Sequence, residues 1–293
     1  MTGIVKLTHI DKLLYPKDRI SKEEVIQYYI KVSKLFLKYA KLHPLTLQRY
    51  PQGISKPGFF QKHADAIPSW IDRVKIPTKT TPTLYVLANR KADLAYLANL
   101  NTIVFHSALF SVKKMKYPDM LIWDLDPSVD DFDIVIEVAF KLKTFIESLG
   151  IQSLIKTTGS KGLHIQVPLN QRLTFNKVHA FAKAVAKVLE ERYPKLITLE
   201  PYKKNRKGRV LIDYNRNFFS QTAVAAYSLR ALPGAPVAAP ILWKELGKTV
   251  VSARQFTLNN MEARVHKVGD IWLKEKIHNR AIHQLILNAY KTL

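Results

Sequence analysis

Two aspartates, Asp124 and Asp126, close an apolar run in the stretch Leu121-Ile122-Trp123-Asp124-Leu125-Asp126-Pro127. Met120 to Trp123 reads as a buried β-strand, and the period of two along a strand sends both carboxylates to one side and Leu125 to the other. Neighbouring carboxylates raise each other's pKa unless a cation lies between them, and a divalent ion reverses that cost. A hard metal is the natural occupant. The alternative is a solvated turn, with Pro127, Ser128 and Asp130 supplying turn chemistry. The DxD tripeptide alone does not choose between them.

Three other stretches carry groups that suit phosphate chemistry. In Lys156-Thr157-Thr158-Gly159-Ser160-Lys161-Gly162-Leu163-His164, a glycine-containing turn gathers hydroxyls, Lys161 and His164, with backbone N–H groups free to approach an anion. The GxxxxGK[ST] spacing of a Walker A loop is absent, and an ordinary hairpin turn is the competing reading. In the basic segment 203–217 a short apolar strand ends at Asp213, followed by Arg216. Arg230 follows a β-like run and precedes a loop rich in Pro and Gly. Together these residues are a parts list for two-metal phosphoryl or nucleotidyl transfer, in which ions about 4 Å apart need several carboxylate oxygens. Asp124, Asp126 and Asp213 would supply those oxygens, and Ser160, Lys161, His164 and Arg230 would hold a triphosphate.

Composition names the partner class. The 293 residues, 47% hydrophobic, can bury a substantial core, and 46 Lys and Arg against 23 Asp and Glu give a formal charge of +23. Such an excess is the footprint of a polyanion binder, with nucleic acid first. No apolar stretch approaches the ~18 residues of a membrane span, so no membrane partner is expected. With no cysteine, disulfides and thiolate metal sites are excluded, which fits a cytoplasmic, nucleoid-associated protein.

The elements that must position these groups follow from pattern. Ser21 as N-cap and Glu24 three residues on open a helix over 21–42. Strands are predicted at 45–50, 58–62, 83–86 and 102–106, the last leading to His106, and a helix at 91–99. After the aspartate-bearing strand, an amphipathic helix over 131–149 stops at Gly150. Strands at 151–157 and 163–167, a helix at 174–192 and a strand at 209–213 complete the reading. This is a mixed α/β (α+β) chain built on largely antiparallel sheet, one large domain or two closely joined lobes over 1–293.

Several longer blocks carry a family resemblance: "DKLLYP" at 11–16, "QYY" at 27–29, "LTLQRYPQG" at 45–53, "FFQKH" at 59–63, "WDLDP" at 123–127, "KTTGSKGLHIQVPL" at 156–169, "GRVLIDYNRN" at 208–217 and "AYSLRALPGAPVAAPILWKEL" at 226–246. In this order they resemble the polymerase domain of bacterial ligase D, a branch of the archaeo-eukaryotic primase superfamily, from about residue 9 to residue 246. The resemblance implies a primase-like palm sheet packed beside a second α/β lobe. It implies a DNA-dependent nucleotidyltransferase that fills gaps and extends ends in bacterial non-homologous end joining, with Ku and a DNA ligase as partners, two magnesium or manganese ions as cofactors, and ribonucleotides preferred over deoxyribonucleotides.

Residue by residue, the metal triad of the family falls on Asp124, Asp126 and Asp213, and its nucleotide contacts on His106, Ser160, Lys161, His164 and Arg230. Its grip on the 5′-phosphate of a gapped or broken end falls on Lys12 and Lys22, and its template-stacking pair on Phe59 and Phe60. His106 is followed by Ser-Ala where the family has Pro-Trp, and "TTGSKG" stands for the family's "TSGSKG". No KxDG motif of a covalent ligase occurs in these residues, so nick sealing is left to a ligase partner. A metal-dependent nuclease or phosphodiesterase, a DxD glycosyltransferase and a catalytically silent end-binding module are the rival classes. The first two have no need of the triphosphate set, and the third has no need of the aspartates.

Overall fold

The computed structural model describes residues 5–64, 67–77, 81–275, 277 and 281–293. The chain divides into two compact units, both assembled from separated stretches. Met1–Lys113, Thr222–Ala239 and Phe256–Asp270 form the first; Lys114–Gln221, Pro240–Gln255 and Ile271–Leu293 form the second.

In the first unit, strands β1 (Leu13–Tyr15) and β2 (Ile20–Ser21) lead into helix α1 (Lys22–Ala40). The helix starts where the sequence says it should. The Ser21 hydroxyl accepts the Glu24 N–H at 3.2 Å, and the Glu24 carboxylate accepts the Ser21 N–H at 2.7 Å, which satisfies two end donors reciprocally. Val25, Ile26, Tyr29, Val32 and Phe36 form its buried stripe. Then come β3 (Leu45–Arg49), β4 (Phe59–Gln61), β5 (Arg73–Ile76), β6 (Thr83–Val86), α2 (Lys91–Asn99) and β7 (Thr102–Ala108).

In the second unit, the strands are β8 (Met120–Pro127), β9 (Leu154–Thr157), β10 (Leu163–Pro168), β11 (Ile197–Thr198) and β12 (Val210–Asp213). Helices α3 (Asp133–Ser148) and α4 (Phe175–Arg192) belong with them. Later in the chain β13 (Thr222–Val224) and helix α5 (Leu258–Val268) return to the first unit, while β14 (Pro240–Ile241), α6 (Ile271–Lys274) and α7 (Ile282–Thr292) belong to the second. Among the described residues no helix is long and apolar enough to cross a membrane.

The sheet of the first unit runs β13-β7-β3-β6-β5, with β4 also on β3, and every pairing is antiparallel. One difference from the sequence reading bears on a candidate site residue. The strand expected to end at His106 continues to Ala108, because β13 pairs with it from Val224↔His106 to Thr222↔Ala108. His106 therefore sits within a ladder rather than at its end, and the partner that extends the strand lies more than a hundred residues away in the chain.

The sheet of the second unit runs β11-β12-β8-β10-β9-β14, antiparallel except for β11 against β12. Its two faces differ in character. Trp123 and Leu125 of β8, Leu163 and Ile165 of β10 and Ile212 of β12 share the face that α3 and α4 cover, all fully buried. The Trp123 indole N–H donates to the Ala182 carbonyl of α4 at 3.0 Å. Residues of the opposite parity, Asp124 and Asp126 among them, occupy the other face. Where β12 stops at Asp213, the Asn217 side chain continues the ladder: it accepts the Ile122 N–H at 2.9 Å and donates to the Ile122 carbonyl at 2.7 Å. That clamp fixes β8 just before its aspartates.

Candidate active site

Strand register assembles the carboxylates. Asp213 pairs directly with Asp124, Asp124 with His164, and His164 with Lys156. Residues directly opposite in an antiparallel ladder share a face. Asp213, Asp124, His164 and Lys156 thus form a row across four strands, with Asp126 on the same face two positions along β8. The expectation that Asp124 and Asp126 point together is met by β8, and the pairing of β12 brings Asp213 to them.

Two arginine side chains already offset the charge of this row, beside a histidine. His164 Nε2 lies 3.4 Å from Asp124 Oδ1, and Arg216 Nε lies 3.7 Å from Asp124 Oδ2 and 3.5 Å from Asp213 Oδ2. Arg206 donates to Asp126 Oδ2 at 2.8 Å from a side chain only 5% exposed, anchored in turn on the Glu200 and Pro201 carbonyls. Burial would push the Asp124 carboxyl up, but His164, Arg216 and Lys156 hold it down to about 2. Burial, together with Lys156, lowers His164 to about 4, against the pull of Asp124, so its imidazole is neutral at pH 7. The Asp213 carboxyl is raised by burial, despite the Asn215 N–H and Arg216 beside it.

Among the described residues no three acidic or histidine side chains converge at metal-ligand spacing. The donor set still fits a hard divalent ion: three carboxylates on one sheet face with no sulfur. The need for positive charge is visible in the two arginines that approach them. Nδ1 of His164 is buried without a hydrogen-bond partner among the described residues, an atom that a bound ligand would satisfy.

The turn before His164 is built by Thr158. Its hydroxyl accepts the Ser160 and Gly162 N–H groups, each at 3.2 Å, and donates to the Gly162 carbonyl at 3.1 Å. That hydroxyl is committed to the turn, which leaves Ser160 and Lys161 to project. Lys161 Nζ lies 3.1 Å from Asp130. Gly162 is obligatory, since a Cβ there would lie 1.7 Å from the Leu125 carbonyl oxygen.

The remaining expected residues lie on the first unit. His106 meets the edge of the Phe60 ring at a centroid distance of 5.7 Å, and Phe60 and Phe59 are 62% and 47% exposed. Such open rings on a β-strand suit base stacking. Lys22 is buried, with its ammonium donating to the Thr8 carbonyl at 2.6 Å; burial, with the Lys12 charge nearby, lowers its pKa. Arg230 follows a segment held by tyrosine hydroxyls. Tyr15 donates to the Arg230 carbonyl and Tyr28 to the Tyr227 carbonyl, both at 2.8 Å, while Tyr29 accepts the Leu229 N–H at 2.9 Å and donates to the Ile103 carbonyl at 2.6 Å. The Ser228 hydroxyl accepts the Phe105 N–H at 2.9 Å.

The structure thus brings together Asp124, Asp126, Asp213 and His164 on one sheet face, with Ser160 and Lys161 in the turn that leads to it. Separately it places Lys12 with Lys22, Phe59 beside Phe60, and Phe60 with His106. Sequence reasoning gave no role to Arg206, Lys156, Asn217 or the three tyrosines. "DKLLYP" and "QYY" contain those tyrosines, yet nothing in their spacing announces a hydroxyl aimed at a backbone two hundred residues away.

Comparison with known proteins agrees with this architecture. A family model described as the LigD primase-polymerase domain matches residues 21–272. The multifunctional non-homologous end joining protein LigD of Mycolicibacterium smegmatis is 31% identical over 276 residues, covering 91% of this chain and 35% of that protein. The bifunctional LigD of Bacillus subtilis is 30% identical over 268 residues, 90% of this chain and 43% of that protein. The chain spans less than half the length of these relatives. A solved structure of the polymerase domain of Mycobacterium tuberculosis ligase D in complex with DNA superposes with a TM-score of 0.86 at 29% identity, covering 92% of this chain and 97% of that one. The mixed α/β fold with its antiparallel sheets, the row of aspartates and these matches lead to one assignment: the chain belongs to the LigD primase-polymerase domain family, a family of nucleotidyltransferases.

Proposed function

We propose that this chain adds nucleotides to the 3′-ends of gapped or broken DNA in end-joining repair, working with Ku and a DNA ligase, and that it prefers ribonucleotides. The observation that carries this reading is the alignment of Asp213, Asp124 and Asp126 on one sheet face beside the neutral His164. Asp124, Asp126 and Asp213 would hold two magnesium or manganese ions. Bound there, the ions would supply Lewis-acid stabilisation of the charge that builds on the reacting phosphate and the leaving pyrophosphate.

The other residues take up binding and orientation. Ser160 and Lys161, projecting from the turn that Thr158 organises, contact phosphate oxygens, and His164 offers a neutral imidazole to the nucleotide. On the first unit, Arg230 binds the triphosphate, its position set by the tyrosine grip. His106, fixed within the β7 ladder, neighbours the sugar; a site built to hydrogen-bond a hydroxyl discriminates strongly against its absence. Phe59 and Phe60 stack on template bases. Lys12 and Lys22 read the 5′-phosphate, whose charge would offset the burial and the Lys12 repulsion that lower Lys22.

Primer extension on a gapped duplex, with and without the 5′-phosphate, tests the reading. Divalent-dependent addition, faster with ribonucleotides and stimulated by the phosphate, is expected. No addition under any metal would overturn it.

A further inference from the structure

Helices α3 and α4 cover the same face of the second sheet yet treat charge differently. On α3, Lys141 pairs with Glu137 at 3.1 Å and Lys143 with Glu147 at 2.6 Å. On α4, Lys177, Lys183 and Lys187 precede its acids, Glu190 and Glu191, which fall in the last turn. All three lysines are exposed, and among the described residues none forms an ion pair. His179, Lys183 and Lys187 recur every fourth residue, which places them on one side of the helix about 6 Å apart along its axis. A helix face left positive in this way holds potential for a polyanion, whereas α3 has spent its lysines internally.

At the start of this stripe lies an aromatic surface. The His179 imidazole stacks on the Phe218 ring at a centroid distance of 3.8 Å and an interplanar angle of 24°, with Tyr214 at 5.2 Å from His179. Phe218 is 43% exposed, so the ring is packed on the imidazole yet open to solvent. Its segment is continuous with the candidate site: Asp213 ends β12, Arg216 reaches back to Asp213 and Asp124, and Phe218 turns to α4. Along the chain, the guanidinium beside the carboxylates is followed two residues on by the open Phe218 ring, which stacks on His179 at the start of the lysine line.

We propose that Phe218, His179 and the Lys183–Lys187 face of α4 form a track for single-stranded DNA, where a base stacks on Phe218 and the lysines follow the phosphates. This rests on the DNA-extending function proposed above and adds to it an overhang-binding surface. A single strand is favoured over a duplex because only unpaired bases offer a face to an exposed ring, and stacking with lysine contacts is how sequence-independent single-strand sites are built.

Binding by fluorescence anisotropy to a gapped duplex, with and without a long oligo-dT tail, tests it. Against the tailed probe, Phe218→Ala is expected to weaken binding about tenfold, and Lys183→Ala with Lys187→Ala to lower the salt slope by about 1.4. The tailless probe should bind as in the parent, and Phe218→Trp should restore the tailed affinity. Thermal unfolding of each variant shows that the fold survives. Unchanged affinity for the tailed probe, or equal loss on both probes, would overturn the track, and an acidic protein would then be the better partner for the face. Nucleotide addition on the tailless duplex is read in parallel: its absence in the parent would defeat the polymerase reading, while the anisotropy comparison still decides the track.

Discussion

The two units hold their candidate site residues by opposite means. On the second, Asp124, Asp126 and Asp213 are held by charge, through Arg206 and Arg216, with the neutral His164 against Asp124. On the first, the Arg230 segment is fixed by neutral hydroxyls of Tyr15, Tyr28, Tyr29 and Ser228 on backbone groups. A charge-held group answers to pH and to added cations, because its partners can be exchanged. A backbone held by buried hydroxyls keeps one shape whatever the ionic conditions. The difference teaches that the carboxylate row can take up positive charge, while the segment before Arg230 is a fixed support.

The largest effect should come from breaking the charge-held side. Asp124→Ala, Asp126→Ala or Asp213→Ala should abolish nucleotide addition while leaving DNA affinity nearly intact, since affinity comes from the basic surface. Primer extension beside a binding titration checks this. Gly162→Ala comes next. Its Cβ would collide with the Leu125 carbonyl, at a cost of about 3 kcal/mol or more, visible as a lowered denaturation midpoint.

The neutral side should respond more mildly. Tyr29→Phe leaves the buried Leu229 N–H and Ile103 carbonyl without their hydroxyl partner, which costs about 1–3 kcal/mol. It should also raise KM for the nucleotide more than it lowers kcat, because the Arg230 segment loosens while the carboxylates are untouched. Equal changes in both constants would show that the tyrosine does not act through Arg230.

The smallest effect separates the two sides by pH. His164 titrates at about 4 in the fold against an ordinary 6.5, so the unfolded chain binds the extra proton between those values and stability falls as pH drops through that window. His164→Gln should flatten this part of the stability profile, followed by urea denaturation at several pH values. The tyrosine-held segment contributes no titration there.

How much of this was legible in sequence follows from the range of the forces involved. The Ser21–Glu24 cap, the β8 alternation that aligns Asp124 with Asp126, and the bounds of α1 to α4 are local, and they agree with the pattern reading to within a few residues. Asp213 was found because it ends a strand, but its place opposite Asp124 is a matter of long-range register. The same holds for His106, whose strand is lengthened by β13. Helices α5 to α7 were not anticipated: they are short, 11, 4 and 11 residues, at or below the length a periodic reading resolves. Arg206 sits in a run of basic residues where nothing distinguishes it until its guanidinium is seen buried on Asp126. Lys22 stands at the first position of α1, where nothing in the sequence announces that its ammonium is buried on the Thr8 carbonyl.

The most direct test of the central claim, that the carboxylate row is a cation-dependent site of nucleotidyl transfer, is single-nucleotide addition to a gapped, 5′-phosphorylated duplex titrated with manganese after removal of all divalent ions. The account predicts no addition without the ion, a saturable rise with it, and no rise at any concentration for Asp124→Ala. Addition that persists in chelator, or a normal titration for Asp124→Ala, would contradict it.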